Sequence, residues 1–193
     1  MSARAVPAQS ATTSIPACPV AATPNPATRL VYDFVTTPIG DLLLVAGDKG
    51  LVKIGFESEQ PDLIIDGYAS AGHVVTNDPR RLDPVREQLN SYFAGTLRQF
   101  NVTCDLDSLS PFRRRVTDVL NQVGYATVIS YAELAAKAGS PRAYRAVGSV
   151  CARNPIPIII PCHRVVRGDS LGRYAGGVEV KEFLLHLEGS VTG

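Results

Sequence analysis

The feature that most constrains the fold is a change of hydrophobic period near Ser108, a little past the middle of a 193-residue chain. Before it, short apolar runs at 30–35, 42–46 and 51–56 are separated by two turn signals, Thr37-Pro38-Ile39-Gly40-Asp41 and Gly47-Asp48-Lys49-Gly50. Strands joined by such short links pair as an antiparallel meander. Residues 83–93 then place Val85, Leu89, Tyr92 and Phe93 at helical spacing, so a helix should cover one sheet face. A short strand at 100–103 is expected to complete a small α+β unit. After Ser108 the pattern is helical. Ser110-Pro111 reads as an N-cap followed by proline at the first helical position, opening a helix over 112–123. Ser130 caps a helix over 131–138, with Glu133 placed to close a capping box. Gly139 ends it, Ser140-Pro141 opens another over 142–153, and a last helical segment covers 180–187. The class is therefore α+β, with a small N-terminal antiparallel sheet and helix over 29–107. A mainly helical part containing a helix-turn-helix occupies 108–193. Residues 1–28, with five prolines, no acidic residue and no periodicity, read as a disordered tail.

Composition enters where it excludes functions. Hydrophobic residues make up 45% and charged residues 19%, the balance of a soluble globular protein. No run of about 18 apolar residues occurs, which sets membrane function aside. The four cysteines, Cys18, Cys104, Cys151 and Cys162, form no C-x-x-C pair. That argues against a zinc ribbon or thioredoxin motif, and reduced thiols inside a cell are expected. The net charge of +1 conceals an asymmetry: eight Lys/Arg stand against twelve Asp/Glu up to Asp107, and eleven against six from Ser108 onward. A basic second half points to an anionic partner such as nucleic acid, although solvated arginines clustered by chance give the same count. The helix-turn-helix around Gly139 presents Arg142, Tyr144 and Arg145 early in its second helix, where a recognition helix meets DNA. An ordinary helical hairpin with solvated arginines fits that pattern equally well.

The chemistry is concentrated in 154–166, Asn-Pro-Ile-Pro-Ile-Ile-Ile-Pro-Cys-His-Arg-Val-Val. A thiol in apolar surroundings is usually inert packing, because burial disfavours the thiolate. Here His163 and Arg164 follow Cys162 directly, and Pro157 and Pro161 stiffen the approach. A nucleophilic cysteine needs a base. Adjacent side chains seldom touch, so His163 is expected to act through a water, with Glu188 as the group that orients it. A structural cysteine and a cysteine hydrolase remain open on these residues alone.

Pro161-Cys162-His163-Arg164-Val165 resembles the active-site signature of the O6-alkylguanine-DNA alkyltransferases. The resemblance extends through Ile129-Ser130-Tyr131, Tyr144-Arg145-Ala146-Val147-Gly148, Asn154-Pro155, Tyr174-Ala175-Gly176-Gly177, Lys181-Glu182-Phe183-Leu184-Leu185 and Glu188, in the family's order and spacing. It is weaker from Thr37-Pro38-Ile39-Gly40 to Tyr92-Phe93-Ala94-Gly95. It implies a ribonuclease H-like N-terminal unit and direct reversal of DNA alkylation, O6-alkylguanine and also O4-alkylthymine being substrates. By this resemblance Cys162 is the single-use alkyl acceptor, activated by His163, a bridging water and Glu188, while Asn154 fastens the turns around it. Arg145 would fill the space of a flipped nucleotide, and Tyr131 would contact that nucleotide and its phosphate. The carbonyls of Cys162 and Val165 would read guanine, while the Tyr174 hydroxyl and Ala175 amide face its oxygen. Arg142, Tyr144, Ala146 and Gly148 would lie against the minor groove of duplex DNA carrying alkylated bases. No cofactor and no metal are implied, the protein acts as a monomer, and cooperative assembly on DNA is left open.

The chain departs from the family near Thr117 or Asp118, where many members carry an aromatic residue, and at Gly124-Tyr125-Ala126, where many have Pro-Tyr-Gly. Those positions bear on local stability rather than chemistry. Cys151 is expected to be a small apolar filler, and His73 and His186 ordinary surface or interface residues. A non-catalytic lesion binder, a regulator switched by alkylation and a cysteine hydrolase are the competing functions. The bacterial cytoplasm is the expected location, or the nucleus in a eukaryote.

Overall fold

In the computed structural model, which describes residues 28–168 and 170–190, three antiparallel strands follow from the two turns read in the sequence. β1 (Arg29–Thr37), β2 (Gly40–Gly47) and β3 (Gly50–Phe56) form the meander, with Val35 opposite Leu42 and Leu44 opposite Ile54. Both faces of β2 are buried, and its period-2 alternation divides it between two cores. Leu42, Leu44 and Ala46 face the main core, while Leu43 and Val45 join Leu30 and Tyr68 on the other side. A sheet buried on both faces needs two covers. The expected helix supplies one: α2 (Pro79–Phe93) starts a turn earlier than its spacing predicted and buries Leu82, Leu89 and Tyr92. The sequence reading missed the other, α1 (Pro61–Ser70), whose Ile64 comes so close to Gly55 that a Cβ there would stand 3.0 Å away.

After α1, β4 (Val74–Asn77) pairs in parallel with β1, giving the sheet order β3-β2-β1-β4. The fourth strand was expected instead at 100–103. That segment makes only an isolated bridge, Leu51 with Cys104, and two bonds to β3, from Leu51 N to Thr103 O and from Asp105 N to Leu51 O. The backbone groups of Asn101 are met by a side chain instead: Gln88 donates to the Asn101 carbonyl at 2.9 Å and accepts from the Asn101 amide at 2.6 Å. A glutamine in place of a neighbouring strand ends the ladder. The tail expected to be disordered covers residues 1–28, of which 1–27 lie outside the described residues.

The second half follows its caps closely. α3 (Pro111–Leu120) begins at Ser110, whose hydroxyl accepts from the Arg113 amide. α4 (Tyr131–Lys137) begins at Ser130 with the reciprocal Glu133 bond of a capping box. Gly139, at φ 72°, reverses the chain so that its own amide and that of Ser140 bond the last carbonyls of α4. Residues 140–143 then form a turn, closed by Ala143 N to Ser140 O at 2.8 Å, so α5 is Tyr144–Ala152. Arg142 therefore precedes α5, the helix expected to meet DNA, rather than opening it. The short strands β5 (Ile129–Ser130) and β6 (Val165–Val166) pair in parallel, and α6 (Val178–Glu188) closes the fold. One cluster of buried residues, reaching from Val31 to Leu184, joins the two halves. Among the described residues no helix is long and apolar enough to cross a membrane. His73, expected as a surface or interface residue, is buried against the ring of Tyr68.

Gly50 holds the 101–105 segment to β3. It lies at φ 135°, and a Cβ there would meet the Thr103 carbonyl at 2.4 Å. Gly50→Ala therefore combines a left-handed conformation with a backbone clash, and should lower stability by about 2 kcal/mol or more. Urea unfolding of the two proteins measures the difference.

Candidate active site

From α5 to β6 the chain forms a loop with almost no freedom left to it. Asn154 is its centre: Nδ2 donates to the Ile160 carbonyl at 2.8 Å and to the Cys162 sulfur at 3.0 Å, and Oδ1 accepts from the Ile156 amide at 3.1 Å. The Pro155 carbonyl accepts from Ile54 of β3 at 2.9 Å, which fastens the loop to the sheet. Within it Ile158, fully buried, sits at φ 74°. A β-branched residue there is strained, and it persists because the surrounding bonds leave no alternative. The loop delivers Cys162 to a short 3₁₀ turn, Cys162–Arg164, in which all three side chains are buried.

The turn faces Glu188, the last residue of α6. Oε1 of its carboxylate accepts from Tyr92 Oη at 2.7 Å and Arg164 Nη2 at 2.9 Å, and lies 2.9 Å from His163 Nε2. Oε2 accepts from Arg164 Nε at 2.9 Å and from the Ala126 amide at 3.3 Å. Burial alone would raise the pKa of this carboxyl, but the bonds from His163 and Arg164 outweigh it and hold it near 2. An ionised carboxylate only accepts, so Nε2 carries the imidazole hydrogen and Nδ1 becomes the free lone pair. Nδ1 is buried and has no hydrogen-bond partner. Burial also holds the imidazole below its ordinary pKa in spite of Glu188, which keeps His163 neutral. The Cys162 thiol is pushed up to about 11 by burial, against the pull of Asn154 and Lys181, so it rests protonated.

Around the sulfur, Tyr174 packs edge-on against Phe56 at 5.5 Å and His163 at 6.4 Å. Its hydroxyl oxygen is buried without a partner, and burial raises its pKa well above the ordinary value, so it stays a donor. Lys181, fully buried, donates to the carbonyls of Val165, at 2.6 Å, and Leu171. The Cys162 carbonyl accepts from the Val165 amide. Both carbonyls expected to read guanine thus already serve the fold, and each keeps one lone pair. Ala175 is exposed beside Tyr174. A groove of about 970 Å³ runs past this region, with Tyr131, Tyr144, Arg145 and Gly148 in its lining. Gly148 lies under the Tyr131 ring, where a Cβ would stand 3.9 Å away. Tyr144, Arg145 and Ala146 are exposed on α5, with the Arg145 guanidinium 5.9 Å from the centre of the Tyr144 ring.

Residues 30–106 match the ribonuclease-like domain of 6-O-methylguanine DNA methyltransferase, and residues 111–190 match the DNA binding domain of the same family. The chain belongs to the 6-O-methylguanine DNA methyltransferase family. A methylated-DNA--protein-cysteine methyltransferase of Methanosarcina barkeri is 38% identical over 160 residues, covering 82% of this chain and 97% of the relative. The constitutive enzyme of that name from Bacillus subtilis is 33% identical, over 81% of this chain and 94% of its own. The crystal structure of Mycobacterium tuberculosis O6-methylguanine methyltransferase superposes with a TM-score of 0.70 at 35% identity, covering 85% of this chain and 95% of that one. A structure of the mycobacterial protein in complex with DNA gives 0.69 at 34% identity, over 84% and 93%.

In this family member the fold brings Cys162, Asn154, His163 and Glu188 together and sets Tyr174 beside them. Tyr131, Arg145 and Gly148 line the adjoining groove, and Arg142 stands apart in the preceding turn. Sequence reasoning missed the contact of Asn154 with the sulfur and the partners of Glu188 other than His163. It also missed the buried ammonium of Lys181. Arg164 and Lys181 were visible only as members of motifs, and no spacing rule marks a cation as buried.

Acid stability follows from these shifts. His163 and Glu188 both have folded pKa values below their ordinary 6.5 and 4.5. Each therefore stabilises the fold above its ordinary value and loses that contribution as pH falls. Stability should decline below about pH 6.5 as the unfolded imidazole takes up a proton, and again between 4.5 and 2 as the Glu188 network is lost. Glu188→Gln should be less stable by about 3 kcal/mol at pH 7, because it leaves Arg164 buried without its counter-charge. The gap should narrow as pH falls from 4.5 towards 2. Urea denaturation at a series of pH values reads both effects.

Proposed function

We propose that this protein repairs alkylated DNA directly, moving the alkyl group from O6 of guanine onto Cys162 once per molecule. The observation that carries the reading is the sulfur itself, held 3.0 Å from Asn154 Nδ2 beside a buried His163 whose Nδ1 is its free acceptor. The thiol proton passes through a bridging water to Nδ1, and Glu188 stabilises the imidazolium that results. The sulfur lone pair forms a bond to the alkyl carbon as the carbon–oxygen bond breaks, and that electron pair moves onto the guanine oxygen. Tyr174, still protonated, and the Ala175 amide donate to this developing charge. Guanine regains a proton on its ring nitrogen, so a thiol and an O6-alkylguanine become a thioether and guanine. A thioether has no easy leaving group, which limits the protein to one turnover.

The alkylated oxygen of a paired guanine lies out of reach of a buried sulfur, so the nucleotide must leave the stack. Arg145 would occupy the vacated space and Tyr131 would contact the flipped nucleotide, with α5 in the minor groove. The small side chain of Ala146 and the absence of one at Gly148 suit a groove that carries little sequence information. O4-alkylthymine presents an alkyl oxygen at the corresponding edge and is a second substrate. We also infer two domains, 29–107 and 108–193, supported by the two family descriptions that match on either side of the division. The protein acts as a monomer. The relatives named above come from organisms without a nucleus, which supports a cytoplasmic place.

Incubation with a duplex containing one O6-methylguanine should add one methyl group to the Cys162 peptide, read by mass spectrometry. An unmodified chain that still binds the duplex would favour a lesion binder, and repeated turnover of an ester or amide would favour a hydrolase. Cys162→Ala should abolish transfer and retain DNA binding. Arg145→Ala should slow repair of duplex at least tenfold more than reaction with free O6-benzylguanine, on the scale of a few kcal/mol for unstacking a base. Equal losses on the two substrates would argue against base flipping.

A further inference from the structure

The segment that follows β6 lines the same groove as α5 and carries two arginines with no part in the chemistry above. Arg167 and Arg173 are exposed and line the groove together with Tyr131 and Arg145. Among the described residues, neither guanidinium has a hydrogen-bond or ion-pair partner. The described lining of the groove contains three arginines and no carboxylate. Like charges placed around one concavity do nothing for folding, whereas they attract an anion strongly.

The backbone that carries them is firmly mounted. Arg167 and Ser170 close a tight hairpin through two mutual bonds, Arg167 N to Ser170 O at 2.9 Å and Ser170 N to Arg167 O at 3.2 Å. The buried Lys181 ammonium holds the carbonyls of Val165 and Leu171. Each arginine thus leaves the backbone two residues after a carbonyl fixed by the same cation. Between them Gly172, at φ 74°, backs onto Tyr131, where a Cβ would stand 3.4 Å from the hydroxyl. Arg167 also lies near enough for its charge to lower the pKa of the Tyr131 phenol, against the burial that raises it to about 12. The backbone that carries both cations is therefore held beside Tyr131, and the exposed guanidinium groups are free to meet a ligand in the groove.

We propose that Arg167 and Arg173 form a phosphate clamp in the groove they share with α5, gripping the DNA backbone on either side of the flipped nucleotide. The proposal rests on the DNA-repair reading and deepens it: α5 enters the duplex, and this loop holds the strand that has been opened. Phosphate is the fitting ligand because a guanidinium offers paired donors to its oxygens without reading sequence.

The test is duplex binding by the full chain, followed by fluorescence anisotropy across a salt series, with Cys162→Ala in every protein so that no transfer intervenes. Each phosphate neutralised steepens the dependence of log K on log salt by about 0.9. Arg167→Ala with Arg173→Ala should therefore flatten the slope by about 1.8. Arg167→Lys with Arg173→Lys should keep most of the slope, since the charge remains. An unchanged slope in the alanine pair overturns the clamp. Equal flattening in the lysine pair also overturns it, by tracing the loss to the loop rather than to charge. A parent protein that shows no salt-dependent binding to the duplex removes the DNA reading itself, and the clamp with it.

Discussion

The site and the union of the two halves depend on one carboxylate taken out of water. Glu188 receives donors from α2, from the turn before β5 and from the 3₁₀ turn that carries the cysteine. A buried charge is tolerable only when it is paired and its lone pairs are satisfied. Each of those segments is therefore held where Glu188 requires it. Tyr92 belongs to the N-terminal half, so separating the halves would remove a donor from the same oxygen that orients His163. The arrangement that stabilises the junction also selects the imidazole tautomer, and with it the nitrogen able to take a proton.

A second constraint acts from the other side of the sulfur. Asn154 spans the 154–162 loop with three bonds, and β3 adds a fourth through Pro155. Together they keep Ile158 in a conformation that costs on the order of 1–3 kcal/mol. The strain is offset by packing, since Ile156, Ile158 and Ile160 are all buried in the main core. In the proposed transfer the sulfur meets a saturated carbon in line and gains from such fixing, because misplacement of about 1 Å costs about a hundredfold in rate.

These relations were legible in the sequence to different depths, and the difference follows the range of the interactions. Local signals were accurate: the two hairpin turns, the Ser110 and Ser130 caps and the Gly139 reversal each rest on residues within one turn of one another. Cys162 and His163 stood out by their adjacency and Glu188 as the carboxylate ending the last helical segment, whereas Asn154 entered only through the family resemblance. β4 escaped because its four residues pair in parallel with a strand that lies far away in sequence. The false strand at 100–103 arose because its apolar alternation is real, while the side chain of Gln88 that replaces its neighbour is invisible to periodicity. Tyr92 was read as helix packing, yet its hydroxyl meets a carboxylate 96 residues away. Ala126 shows an intermediate case. The sequence marked Gly124-Tyr125-Ala126 as a departure from the family's Pro-Tyr-Gly. The fold supplies the reason glycine is usual there: Ala126 sits at φ 59° while its amide bonds Glu188.

Under the proposed transfer, in which Cys162 is a nucleophile used once, its protonated resting state has a purpose. A thiol whose pKa stands near 11 carries little thiolate at neutral pH and is a poor target for stray electrophiles and oxidants. Activation must then come from groups already in place when the alkyl carbon arrives. Asn154 Nδ2 points at the sulfur, and the Lys181 ammonium lies near enough to act on the sulfur's charge. Neither gains much from a neutral thiol, and both gain as negative charge develops on sulfur. The base is likewise held neutral until it is needed, its acceptor nitrogen selected by Glu188. Burial thus suppresses reactivity in the free protein, while the preorganised donors favour the transition state over the resting thiol. Opening the site to water would lower the thiol pKa, but it would also weaken every one of these interactions. A buried thiol with a raised pKa is therefore what the proposed transfer calls for.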